Sequence, residues 1–315
     1  DPKGSDNNLL TLLNKVKIRP DDSGVFFYNL QDFIKRFSTT QFYQSKKHLL
    51  TLMSKAFEKQ IALMKKPSAI VSADGRPGTV TLDRALREVE DGGTIRMLPG
   101  IYAGSSSINT KIRLIGAKGV FLGDSVAITT DRVELRSLII DKGFIDICRN
   151  VRDIKINNCE IYKGGIIMRG DNTSVMIENT VMHGLKVGKN RLTQIKDCVI
   201  LENPDNANNY TISGFVSGPI INSIIRSKNE YAIAMAEKSE STLALRYCMI
   251  FGLKGICYIN KDRESIQGEN DFNRKAGRAV QLKIAQPTFV DEDKCDFRLK
   301  DFSPGFFEGE NKRCI

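Results

Sequence analysis

Six stretches of this chain repeat one short pattern, and the repeat dictates the architecture. They are Leu135–Ile140, Ile156–Ile161, Ile177–Met182, Ile195–Ile200, Ile220–Ile225 and Leu245–Ile250. Each runs apolar, two mostly polar residues, a small or apolar residue, then an apolar residue two further on. The fourth positions are Leu138, Cys159, Thr180, Cys198, Ser223 and Cys248, at steps of 21, 21, 18, 25 and 25 residues. A drifting period with strand-like content predicts a β-solenoid. A helical repeat is excluded because the apolar residues alternate instead of recurring every three or four.

A second strand-like run follows each pattern: Phe144–Ile147, Ile166–Met168, Leu185–Val187, Tyr210–Ile212, Tyr231–Met235 and Ile256–Ile259. Glycines often separate the two runs (Gly143, Gly164 with Gly165, Gly184, Gly252 with Gly255), and glycine lets the backbone turn sharply. One coil cannot bury its own apolar face; stacking buries it against the next. The fourth positions are then expected to stack as an internal ladder, with Cys159, Cys198 and Cys248 as core thiols.

The entrance to the coils is legible too. Residues 79–90 place Leu82, Ala85, Leu86 and Val89 at helical spacing, with Thr79 or Thr81 to cap the start and Gly92-Gly93 to stop it. A helix there would cover the open end of the first coil. Residues 1–67 read differently, as a helical N-terminal arm or cap. The long helix expected from Ser45 to Lys66 has a stripe of Leu49, Leu52, Met53, Ala56, Leu63 and Met64, and Pro67 ends it. Residues 68–315 are the expected β-helix with a C-terminal extension. Of the net charge of +10, residues 1–66 supply +6, from 12 Lys+Arg against 6 Asp+Glu. The arm is expected either to pack along the coils as a cap or to dock a protein partner, a second copy of the chain or an anionic surface, and no nucleic-acid partner is expected.

Composition narrows the rest. There is no run of about 18 apolar residues, so no transmembrane helix is expected. The chain starts at Asp1 with no methionine, as a processed secretory chain or a trimmed one would. No Cys-x-x-Cys pair occurs among the seven cysteines, which argues against zinc. Cys295 and Cys314 flank the C-terminal extension and are the candidates for a disulfide that pins it.

Residues 70–120 resemble the start of the right-handed parallel β-helix proteins, the pectate lyase and pectin methylesterase superfamily. The matching residues are Ala73-Asp74-Gly75, the 79–90 helix, Asp91-Gly92, Pro99-Gly100-Ile101-Tyr102 and Leu114-Ile115-Gly116. The ending at 296–305 resembles the strand-then-Ser-Pro close of the same superfamily. The resemblance covers roughly residues 70–310 and implies an all-β solenoid, a single-chain right-handed parallel β-helix with an α-helical N-terminal segment and a helix capping the first coil. It also implies a secreted, periplasmic or cell-surface location and a polysaccharide partner.

Solenoid enzymes work along an outer face. Alternation in the second runs turns Ile145 and Ile147 inward and Asp146 outward; it turns Arg169, Lys186, Thr211, Ser213, Ala232 and Ala234 outward as well. If the protein is a polysaccharide lyase or hydrolase, the catalytic candidates are Asp146, Arg169 and Lys186: a base takes a proton and its neighbours stabilise charge. His183, Tyr210, Thr211, Ser213 and Tyr231 are the substrate-binding candidates. No metal ligand set is expected, although a pectate-lyase-like site would bring Ca²⁺, which wants more oxygen ligands than one carboxylate. The clustered aspartates of polygalacturonase-like sites and the Asp-Pro-His-Glu run of alginate epimerases have no counterpart here. The alternative reading is a non-catalytic adhesin, fibre or assembly protein attached through its arm. The polar loop 202–210 and the charged insert 260–279 are either spacers or ligand-contacting loops.

Overall fold

A computed structural model describes residues 68–170, 173–188, 192–202, 210–236 and 243–300. The expected helical arm, residues 1–67, lies outside the described residues. Three sheets with ten, nine and eight parallel strands dominate the described chain, and successive coils add one strand to each. The first sheet runs from Ala69–Val71 to Arg278–Val280, the second from Gly100–Tyr102 to Lys283–Ile284, and the third from Ser106–Ile108 to Gly255–Ile259. The antiparallel strand Glu264–Ile266 closes the third sheet.

The interior is built from ladders in strict register. In the first sheet Ile95, Leu114, Leu135, Ile156, Ile177, Ile195, Ile220 and Leu245 stack in one row. In the second, Leu122, Ile140, Ile161, Met182, Ile200, Ile225 and Ile250 do the same. In the third, Val126, Ile145, Ile166, Leu185, Ile212, Ile233 and Cys257 form the row. All are buried. Parallel in-register stacking brings each large aliphatic side chain onto its counterpart about 4.8 Å away.

The six-residue repeat is not one strand. It is two strands meeting at a corner, so each coil has three strands where the sequence suggested two runs. In the repeat at Ile156–Ile161, the strand Ile154–Asn157 ends, Asn158 turns the chain, and Glu160–Ile161 begins the second sheet. The turning residues, Ser137, Asn158, Asn179, Asp197, Asn222 and Tyr247, all have φ between 48° and 55°. Asn and Asp tolerate that left-handed conformation best among non-glycine residues, which is why four of the six are Asn or Asp.

The residue after each turn is the expected internal ladder, and it is buried in every coil: Leu138, Cys159, Thr180, Cys198, Ser223 and Cys248. The polar members donate back to the carbonyl two residues earlier. Thr180 Oγ1 reaches Glu178 O at 2.8 Å, and Ser223 Oγ reaches Ile221 O at 2.8 Å. The thiols of Cys159, Cys198 and Cys248 reach Asn157 O, Lys196 O and Arg246 O at 3.4, 3.1 and 3.3 Å. The hydroxyls also accept from the coil before: Cys198 N donates to Ser223 Oγ at 3.1 Å.

Helix α1, Leu82–Glu88, buries Leu82, Ala85 and Leu86, with Val89 buried just beyond it. It packs against Ala69–Val71 and Ser106–Ile108, at the start of the coils. Thr81 is its N-cap and accepts from Arg84 N at 3.3 Å. The helix starts later than the sequence suggests because Val80 pairs with Val71 as a β-bridge instead. Tyr102, from the Pro-Gly-x-Tyr stretch, is buried and donates to Val71 O and Leu98 O at 3.0 and 2.8 Å. Burial pushes its phenol up to about 12.

The insert 260–279 is folded onto the coils. It holds helix α2, Glu269–Lys275, whose Phe272 is fully buried and which packs against Arg278–Val280. After the last coil an antiparallel hairpin, Phe289–Asp291 with Asp296–Leu299, lies on the outside of the second sheet. It covers an outward apolar row of Val181, Val199, Ile224 and Met249 with Phe289, Phe297 and Leu299. Among the described residues, no helix is long and apolar enough to cross a membrane.

Candidate functional site

The outer face of the third sheet has one row in register from coil to coil: Ser107, Ala127, Asp146, Ile167, Lys186, Ser213, Ala234 and Tyr258. Asp146, Lys186 and Ser213 therefore do share one strip along the coil axis. Arg169 follows the strand Gly165–Met168 and turns back to Asp146, with Nε 2.6 and 2.8 Å from the two carboxylate oxygens. That bond holds the guanidinium above its ordinary value, so Arg169 keeps its proton. Lys186 is exposed and stands two rungs from Asp146, about 10 Å away, with Ile167 between them. The structure thus joins Asp146 to Arg169 and sets Lys186 two rungs from Asp146.

The substrate-binding candidates divide. Tyr210 and Tyr231 sit at equivalent places in adjacent coils, each two residues before the paired Ile212 and Ile233. The ring of Tyr231 stacks on Tyr258 at 5.1 Å with planes 25° apart. Burial pushes the Tyr210 phenol up, and the neighbouring Glu230 carboxylate and the Tyr258 and Tyr231 phenols push the same way. Glu230 and Lys254 form an ion pair of 2.5 Å at this edge, and their backbones are joined by Lys254 N donating to Glu230 O. Three tyrosines and one ion pair therefore gather where the strip meets the turn before the third sheet.

Tyr258, Glu230 and Lys254 were not among the sequence candidates. The signal was present: Tyr210 and Tyr231 lie 21 residues apart and Glu230 and Lys254 lie 24 apart, both within the range of the coil period. Equal spacing on the repeat places side chains side by side.

Two other candidates face elsewhere. Thr211 is buried and donates to Arg226 O at 2.6 Å, which corrects its expected outward facing; the strand begins only at Ile212, so alternation does not reach it. Ala232 is likewise buried, and Ala234, although it belongs to the outer row, is covered there too. His183 ends a strand of the second sheet. Its Nδ1 accepts from Lys163 N at 3.2 Å, and its ring meets the edge of Phe297 at 6.0 Å, beside the C-terminal hairpin. Cys295 is an exposed free thiol at the tip of that hairpin, and its expected partner Cys314 lies outside the described residues.

No group of three or more His, Cys, Asp or Glu side chains that could hold a metal ion occurs among the described residues. On the strip Asp146 is the one row carboxylate, and Arg169 already occupies both its oxygens. Ca²⁺, with its need for six or more oxygens, does not fit these residues.

A groove of about 730 Å³ also runs along the outer face of the first sheet. Its floor holds Arg113, Glu134 and Lys155 in register, so opposite charges face each other one rung apart and offset one another.

The fold is similar to that of pectate lyase Pel9A. The TM-score is 0.45 at 11% identity, over 76% of this chain and 90% of that one. A pectin methylesterase solved in complex with a hexasaccharide is also similar, with a TM-score of 0.38 at 9% identity, over 76% of this chain and 99% of that one. No protein-family model matches the sequence, and no curated protein matches it. At these identities the residues of this chain alone decide what its surface can do.

Proposed function

We propose that this chain is a right-handed parallel β-helix with a helical N-terminal arm that works outside the cytoplasm and holds a polysaccharide along the outer strip of its third sheet. The observation that supports this reading is the tyrosine cluster, Tyr210, Tyr231 and Tyr258, at the end of the in-register row through Asp146, Lys186 and Ser213. An extended strip with aromatic rings at one end and spaced polar groups along it suits an extended polymer of rings and hydroxyls. Binding is better supported than cleavage. A base must be free to accept a proton; Arg169 is protonated against Asp146, and Lys186 stands two rungs along the row from Asp146.

The test is retention of soluble polysaccharides by the immobilised full chain, with and without Ca²⁺, alongside a count of new reducing ends. The expected result is retention of at least one polymer, weakened by Lys186→Ala and by Tyr231→Ala, with no new reducing ends. Retention of none would sink the reading. Reducing ends that vanish in Asp146→Ala would convert it to a depolymerase.

The assembly reading keeps one specific support. Ile101 and Phe121 are adjacent in one outward row of the second sheet and are 74% and 39% exposed. A second copy of the chain would cover them, and light scattering of the full chain against Ile101→Glu decides whether it does.

A further inference from the structure

The strip's charges are nearly all used up within the strip, and this bears on which polymer it accepts. Asp146 and Arg169 neutralise each other at 2.6 Å. Glu230 and Lys254 neutralise each other at 2.5 Å. The other members of the row are Ser107, Ala127, Ile167, Ser213, Ala234 and Tyr258, none of them charged, and Lys186. Lys186 is exposed, and among the described residues it forms no hydrogen bond or ion pair.

A polymer of acidic sugars brings one carboxylate per unit. Holding it along several coils needs a cation on several coils, or a metal between carboxylates. This strip offers one unpaired cation. Each further carboxylate laid on it would lose water without gaining a partner. A polymer of uncharged sugars asks for less: ring faces, hydroxyl partners and a surface near neutrality. Tyr231 and Tyr258 supply rigid amphipathic rings, and Ser213, Lys186 and the phenols supply hydrogen bonds.

We infer that the strip selects uncharged sugar units, with the Tyr210–Tyr231–Tyr258 cluster as the stacking platform and the Asp146–Arg169 bond as the element that withholds a cation from acidic polymers. The inference rests on the polysaccharide-binding reading above. Asp146 is then a specificity-determining residue, acting through Arg169.

The experiment is affinity electrophoresis of the full chain in gels containing a neutral glucan, xylan or mannan, or an acidic polygalacturonate or alginate, at low and high salt. The expected result is retardation by a neutral polymer that salt does not change, and none by the acidic ones. Tyr258→Ala and Tyr231→Ala each weaken neutral binding by about tenfold. Asp146→Asn releases Arg169 and creates salt-sensitive binding of the acidic polymers. Thermal unfolding confirms that each variant folds.

Preferential, salt-sensitive binding of an acidic polymer by the unaltered chain would overturn the inference and leave the polysaccharide reading standing. Neutral binding that survives both tyrosine substitutions would also overturn it, because the platform would lie elsewhere. Binding of neither class would overturn both.

Discussion

Arg226 Nη1 lies 2.7 Å from Glu292 Oε1, joining the second sheet to the C-terminal hairpin across 66 residues of sequence. The same guanidinium reaches Glu202 at 3.2 Å and lies 5.1 Å over the ring of Phe289, and its side chain is 3% exposed. Removing one member of a buried ion cluster leaves the others uncompensated. Arg226→Met is therefore expected to destabilise the protein by about 3 kcal/mol, measured as the shift in a urea unfolding curve at neutral pH.

The hairpin should also loosen in acid. Burial pushes the Glu292 carboxyl up, but hydrogen bonds from Arg226 and Lys228 outweigh it, and the net is a carboxyl held below its ordinary value. A depressed carboxyl stabilises the fold above its unfolded pKa, about 4.3 for glutamate. That contribution disappears as pH falls through the lower, folded value. Urea midpoints measured from pH 7 downward should drop more steeply below about pH 4 in the parent than in Glu292→Gln.

The internal ladder should tolerate exchange among its own members. Ser223→Cys replaces one ladder residue with another found in neighbouring coils and should cost less than about 1.5 kcal/mol. Ser223→Ala removes the donor to Ile221 O and the acceptor for Cys198 N, and should cost about 1–2 kcal/mol. Thermal unfolding followed by circular dichroism separates the two.

Thiol reactivity should divide by burial. Burial pushes the thiols of Cys159, Cys198 and Cys257 up to about 12 and that of Cys248 up to about 11. Such groups are neither reachable nor ionised near neutral pH. A thiol reagent followed by peptide mass mapping should label Cys295 in the folded protein, and those four only after denaturation.

Gly164 should be irreplaceable. Any Cβ there would fall well inside van der Waals contact with the Gly143 carbonyl in the coil before. The clash is with backbone, which cannot swing aside, so Gly164→Ala is expected to cost about 3 kcal/mol. The loss should appear as a lower unfolding midpoint or as insoluble expression.

The parts of the fold that follow from burial periodicity were legible in the sequence. The ladder of Cys159, Thr180, Cys198, Ser223 and Cys248 was read directly, as were the stripe of α1 and the facing of Asp146, Lys186 and Ser213. The second sheet was hidden inside the six-residue repeat because a corner of one left-handed residue leaves little mark on hydrophobicity. Its mark is the Asn or Asp at the third position. The hairpin's landing site had a mark as well: the fifth positions Val181, Val199, Ile224 and Met249 are apolar although they point outward.

Site residues were less legible, because a strip depends on neighbours one coil away. Thr211 looked outward by counting two residues back from Ser213, but the pleat had not yet begun. Arg169 looked available as a charge, and only its distance to Asp146 shows that it is engaged. Tyr258 joined the site through its stacking on Tyr231, which register and ring orientation decide together.

The hairpin also sets an order of events. It is built from residues 289–299, yet the apolar row it covers belongs to coils whose strands lie between Val181 and Gly252. During synthesis from the N-terminus those coils emerge first, with their outer row bare. A chain released before residue 289 would leave that row without its cover, and sticky. Arrival of residues 289–299, rather than formation of the coils, is the step that takes this apolar row out of water.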